Sequence, residues 1–173
     1  MKKLMLGLLA LGFTTQFIIA QEIELAEVHL DVNFEYLDAI LSQDVAEPVR
    51  NLEKEVAYYD LKASSLYKDP HDSYQNVYGT YRVTFAIPEG TILATYNKDG
   101  KVTRTIERFK NIELPRSVID AVAEQYPDWN IAEDEYKVDY FGKSGIAIKE
   151  YKLKLRNGEK KMVAKIDDNG EFL

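Results

Sequence analysis

The sequence contains no cysteine. That absence excludes disulfides, thiolate metal sites, cysteine nucleophiles and a lipid-modified N-terminal cysteine. Histidine is scarce as well, with only His29 and His71. Neither has a second histidine or an acid at ligand spacing, and zinc takes about three or four such ligands. Both therefore read as surface or half-buried side chains. The chain lacks G-x-S-x-G, a glycine-rich phosphate loop, H-E-x-x-H and H-x-G-H. No catalytic residue, cofactor or metal is expected from its motifs. Bases are in deficit, 22 against 29 acids, for a formal charge of −7. That balance argues against nucleic acid as a partner, because phosphate neutralisation needs clustered Lys and Arg. Apolar residues still make up 46%, so the chain can build a core and is not of disordered composition. Its 173 residues suit one domain or two very small ones.

What is present begins with an export pattern. Lys2 and Lys3 form a basic start, and Leu4 to Ile19 is apolar apart from Thr14, Thr15 and Gln16. Ala20 is a small residue ahead of Gln21. This order predicts a signal peptide over residues 1–20, cleaved near Ala20, and a periplasmic or secreted protein. The apolar run is shorter than the roughly 20 residues a membrane span needs, so no stable anchor is expected after cleavage. Downstream, Gln21–Thr80 is strongly acidic, whereas Tyr81–Leu173 is balanced. A solvated acidic face accounts for this most simply, and an interaction surface is the sharper reading.

Periodicity then marks the elements. Val28, Leu30, Val32 and Phe34 alternate with polar residues, which predicts a half-buried strand; residues 35–43 fit neither period. Asp44 and Glu47 have capping-box spacing. Val49, Leu52, Val56 and Tyr59 follow at helical spacing, predicting a helix over about 47–60. Residues 63–79 are rich in turn formers. Strands are predicted at 81–87, 91–96 and 101–109, with Asn97-Lys98-Asp99-Gly100 as a hairpin turn whose glycine supplies positive φ. A second helix opens near Leu114-Pro115, buries Val118, Ile119, Val122 and Tyr126, and stops at Pro127. Strands at 130–141, 146–156 and 160–167 close the chain. Ile146 and Ile148 differ in parity from Tyr151, Leu153 and Leu155, so a β-bulge near Lys149-Glu150 is expected to bring both sets to one face.

Helix, strand, strand, strand thus occurs twice. Pro48, Leu52 and Tyr59 precede Pro115, Ile119 and Tyr126 by one constant offset, and Ala94 and Gly100 precede Ala164 and Gly170 by a similar one. The expected fold is α+β in two tandem units, each a helix packed on an antiparallel sheet of about three or four strands. The units would cover residues 21–110, including the N-terminal strand, and 111–173. The second half carries a distinctive run: Tyr96-Asn97-Lys98-Asp99-Gly100-Lys101, Leu114-Pro115, Tyr126-Pro127-Asp128-Trp129, and a terminal Asp167-Asp168-Asn169-Gly170. Over about residues 90–173 it resembles the PepSY-like, or β-lactamase-inhibitor-like, family. The resemblance implies an exported, small, non-enzymatic α+β module that binds or restrains another protein. It carries over no catalytic residues.

Other clusters have plain explanations. Asp99 and the Asp167-Asp168-Asn169 turn lack the ligand spacing of a calcium loop. Glu133, Asp134 and Glu135 are neighbours on a strand, so successive carboxylates face opposite ways. Lys152, Lys154 and Arg156 alternate with Tyr151, Leu153 and Leu155. They make a row of cations that either binds an acidic partner or protects a sheet surface from aggregation. Seven of the twelve tyrosines fall between Tyr58 and Tyr96. Tyr67, Tyr74 and Tyr78 lie in the long connection after the first helix, where tyrosine suits a protein-binding surface; capping of the sheet end is the competing role. The expected function is a binding or inhibitory module acting on another envelope or secreted protein. The alternatives are a carrier of a small apolar ligand in a curved sheet and a carboxylate-based enzyme.

Overall fold

The computed structural model describes residues 32–41, 44–65 and 79–173. The signal peptide expected over residues 1–20, most of the strand expected at 28–34, both histidines, and Tyr67, Tyr74 and Tyr78 lie outside the described residues. Two helices come first, α1 (Phe34–Ile40) and α2 (Glu47–Tyr58). A three-stranded meander follows, β1 (Thr80–Ile87), β2 (Gly90–Asn97) and β3 (Val102–Lys110). Then come α3 (Arg116–Gln125) and a second meander, β4 (Asn130–Phe141), β5 (Ile146–Asn157) and β6 (Lys160–Ile166).

The strands lie side by side in chain order, as one six-stranded antiparallel sheet. This overturns the expected pair of tandem helix-on-sheet units. The β3–β4 pairing decides the matter, running in continuous register from Arg104 opposite Phe141 to Lys110 opposite Glu135. Leaving β3 and β4 as free edges would expose two rows of backbone groups, and pairing them removes both. Segment 111–129, with α3 inside it, is therefore a long hairpin connection within one sheet.

Alternation sorts the sheet into an inner and an outer face. Phe85, Ile92, Tyr96, Phe109, Tyr136, Tyr140, Tyr151, Leu153 and Leu155 point inward and are buried. Val49, Leu52, Val56 and Ala57 of α2, and Tyr36, Leu37 and Ile40 of α1, close over them. Full burial of each large apolar side chain contributes about 1.5–3 kcal/mol. Tyrosine rings fill much of this core, and the hydroxyls of Tyr36 and Tyr96 are hydrogen-bonded, whereas that of Tyr136 has no partner among the described residues. Tyr136 stacks on Tyr151 with centroids 4.4 Å apart, and the Tyr96 hydroxyl donates to the Val56 carbonyl at 2.8 Å.

Three local expectations are corrected. Helix α2 starts on Ala46 as its N-cap, with no side-chain capping bond, and Pro48 fills a first-turn position whose N–H would be unpaired anyway. Phe34 begins a helix rather than ending a strand. There is no bulge at Lys149-Glu150: β4 and β5 stay in register from Glu133–Lys154 to Phe141–Ile146. Ile146 and Ile148 accordingly face outward, 57% and 59% exposed. Ile119, read as buried, is also exposed on α3.

One buried polar residue staples the top of the fold. Asn33 accepts from the Val102 N–H at 2.7 Å and donates to the carbonyls of Ala57 and Gly100 at 3.3 and 3.2 Å. It joins the start of α1, the end of α2 and the β2–β3 turn.

Two glycines test the sheet geometry. Gly100 has φ +83° with open space around it, so alanine there should cost about 1 kcal/mol through backbone strain alone. Gly90 pairs with Phe109, and a Cβ would overlap the Arg108 carbonyl and crowd the Phe109 backbone. Gly90→Ala should therefore destabilise more than Gly100→Ala in urea unfolding; the reverse order would refute the β2–β3 register.

Candidate functional site

The inner face is not uniformly apolar. Glu53 of α2 and Glu107 of β3 are both fully buried. Glu53 shares its helix face with Val49 and Val56, and Glu107 shares its strand face with Thr105 and Phe109, so the folding of each apolar stripe carries a carboxyl inside. Glu107 Oε1 accepts from the Tyr36 hydroxyl at 2.9 Å and from Thr105 Oγ1 at 2.6 Å. Both oxygens of Glu53 and the second oxygen of Glu107 have no hydrogen-bond partner among the described residues.

A carboxylate without partners in the core is costly, so such a group holds its proton instead. Burial, and then the nearby Glu107 charge, pushes Glu53 well above the ordinary carboxyl range. Burial likewise raises Glu107, and its bonds to Thr105 and Tyr36 pull part of that shift back. Lys149 lowers both groups by its charge. In the sheet register it sits in the same inward row as Glu107, with Val138 between them. Its Nζ pairs with Asp168 at 3.3 Å. The result is two buried acids within electrostatic reach of one another: Tyr36 and Thr105 hold Glu107, Glu53 has no such partner, and Lys149, itself paired with Asp168, acts on both through its charge.

Proton exchange within this cluster is chemically feasible. Glu53 and Glu107 are fully buried and line none of four surface hollows of the described residues. A hollow of about 420 Å³ beside α1 is lined by Asn33, Tyr36, Lys62, Asp99 and Lys101 among others, a mixed surface rather than an apolar pocket. Among the described residues no cluster of three or more His, Asp or Glu is placed to hold a metal.

The candidates read from sequence separate cleanly. Tyr67, Tyr74 and Tyr78 fall outside the described residues, so the structure brings no partner-binding group together from them. Asp99 sits in the β2–β3 turn, where Asn97 Oδ1 accepts from its N–H at 2.9 Å. Asp167 Oδ1 accepts from the N–H groups of Asn169 and Glu171 at 2.9 and 2.8 Å, which occupies it as a turn brace. Glu133 and Glu135 face outward, while Asp134 turns in and accepts from the Ile112 N–H at 3.1 Å. Burial raises the Asp134 carboxyl. The hydrogen bond from Lys154 lowers exposed Glu133.

The outer face is the other feature with functional content. Among the described residues no element packs on it. Arg104 and Arg108 both bind Asp139, at 3.2 and 3.0 Å, and the Arg104 guanidinium lies over the Phe141 ring at 4.0 Å. Lys137, Lys152 and Lys165 surround Glu135 and Glu150. Beside these ion pairs stand Ile146, Ile148 and Phe141 at one end of the face and Val163, opposite Lys154, at the other, all exposed. Sequence reasoning missed Glu53, Glu107 and the outward isoleucines. The signal for the two acids was their position on otherwise apolar faces, and for the isoleucines the parity break itself.

The buried pair has a pH signature. Raised carboxyl values in the fold mean that the folded chain binds more protons than the unfolded chain above about pH 4.3, the ordinary glutamate value. Their stabilisation is complete below that pH and is lost as pH rises through the folded values. Stability should therefore fall from pH 5 toward pH 9. Glu53→Gln, which cannot ionise, should flatten that decline by on the order of 2 kcal/mol. Unfolding by urea at a series of pH values checks this; an unchanged slope in the variant would show that Glu53 is ionised in the fold.

Compared with known proteins, the chain matches no family model, no curated protein and no solved structure.

Proposed function

We propose that this protein is an exported, non-enzymatic binding module that engages another envelope or secreted protein through the outer face of its sheet. The observation that carries the reading is the exposure of Ile146, Ile148 and Phe141, neighbours across the β4–β5 pairing, on a sheet face that no described element covers. Grouped apolar side chains on a charged surface mark interaction sites. Ion pairs framing such a patch give the polar rim typical of protein interfaces. The resemblance of residues 90–173 to PepSY-like modules points the same way, as does the export pattern of residues 1–20. An enzyme is the weaker alternative, because the perturbed carboxyls are closed to solvent. The apolar-ligand carrier is weaker too, because charged Glu35, Lys62, Asp99 and Lys101 stand among Val32, Phe34 and Val102 around the hollow beside α1.

A photo-crosslinking side chain at Ile148 tests the reading in envelope extract. One or a few discrete adducts should form, and they should disappear when Ile146→Asp and Phe141→Asp are introduced into a protein that keeps its native circular dichroism. Adducts that persist in the charged variant, or a complete lack of adducts, would refute the outer face as the binding surface.

A further inference from the structure

Strand β6 is a sheet edge, and only part of it is occupied. The C-terminal tail returns along it: the Leu173 N–H donates to the Lys165 carbonyl at 2.9 Å, the Asp167 N–H donates to the Glu171 carbonyl at 2.9 Å, and Phe172 bridges Ile166. These bonds show that the edge accepts an added antiparallel strand. They also fix its orientation. The Lys165 carbonyl points away from β5, and in an antiparallel strand the outward groups recur at every second residue. Lys161 and Val163 therefore present two N–H donors and two carbonyl acceptors outward. None of the four has a backbone partner among the described residues.

Hollows flank this free stretch on both sides. The outer one, about 360 Å³, is lined by Glu133, Lys154, Arg156, Lys161, Met162 and Val163 among others. The inner one, about 460 Å³, is lined by Gln125, Tyr126, Ala164, Phe172 and Leu173 with Val163 and Lys165. An added strand sends alternate side chains to the two sides. One set would meet cations. The other would meet the Tyr126 and Phe172 rings, which pack edge to face at 5.6 Å. Glu133 already binds Lys154, and Glu150 binds Lys165. Arg156 has no acidic partner among the described residues, and Lys161 acts on Glu133 only through its charge.

Resting on the binding-module reading, we propose that the β6 edge over Lys160–Ala164 is a strand-addition site for an extended acidic segment of a partner protein. Carboxylates of that segment alternate with apolar side chains. The carboxylates face Arg156 and Lys161; the apolar groups enter the hollow beside Tyr126 and Phe172. Main-chain bonds supply affinity and the alternating side chains supply selectivity, as in other strand-addition complexes. Lysines on an edge also serve to repel other strands. That role alone needs no hollow on either side, and the tail already pairs with the same edge.

The probe is a fluorescent, end-blocked decapeptide of alternating glutamate and valine, titrated with the purified protein and read by anisotropy at low salt. Saturable binding is expected, weakening as salt rises. Arg156→Glu with Lys161→Glu should weaken it about tenfold or more, and both positions are exposed enough to leave the fold intact by circular dichroism. N-methylation of every second peptide nitrogen should abolish binding, since it removes the strand's donors. No binding to the wild type, unchanged affinity in the charge-reversed protein, or undiminished binding of the N-methylated peptide would each overturn the proposal. So would capture by phosphatidylglycerol vesicles, or self-association in sedimentation, in a protein that does not bind the peptide. The Ile148 crosslink reads the outer face independently, so a peptide failure with persisting adducts rejects the edge site and leaves the binding module standing.

Discussion

The pairing of β3 with β4 is the constraint on which the rest of the structure depends. Seven residue pairs from Arg104–Phe141 to Lys110–Glu135 join two meanders into one sheet. Once they are joined, the strands share a common alternation through the middle of the sheet, interrupted only near Thr95–Tyr96 and Ile131–Glu133 where the register shifts, because the side-chain period of a strand is two. That alternation places Glu107 and Lys149 in one inward row. It places Ile146 and Ile148 outside, and it leaves β1 and β6 as the edges.

The inner face pays for its polar content with close accounting of hydrogen bonds. Asn33 satisfies three backbone groups at the junction of both N-terminal helices and the β2–β3 turn. Tyr36 and Thr105 satisfy one oxygen of Glu107. Glu53 lacks such partners and is kept neutral by its surroundings. The helical layer therefore rests on the sheet through a contact whose cost depends on protonation. Nothing in this contact opens to solvent, which separates it from the surfaces available for binding. Those surfaces are the outer face, where apolar side chains stand among ion pairs, and the half-occupied edge of β6.

Much of the secondary structure was legible because turn chemistry is local. Asn97–Gly100 and Asn157-Gly158 reverse the chain between β2 and β3 and between β5 and β6, and Pro127 closes α3. The strand read at 130–141 is β4 itself, and those read at 146–156 and 160–167 differ from β5 and β6 by a single residue. Two of the differences concern which apolar residues are buried. A bulge was inferred at Lys149-Glu150 on the premise that isoleucines are buried, whereas an open antiparallel sheet covered on one side leaves room for apolar residues on the other. Ile119 was assigned to a buried stripe by spacing alone, and α3 packs only Val118 and Val122 inward. The candidate site was less legible than the fold. Nothing local singles out Glu53, because acids on a helix are ordinarily solvated. Its burial follows from the sheet that α2 covers, which no window of sequence displays.

By itself the sequence determined most of the turns and strands, the helices α2 and α3, and the absence of cysteine. Those properties depend on residues a few positions apart. Tertiary structure alone decided that two similar runs of helix and strands form one sheet rather than two units. It also decided which apolar residues face water, and that two distant glutamates meet in the core. Each of these depends on the register between strands far apart in the chain. Pairing free energy summed over the whole sheet sets that register, and no single residue encodes it.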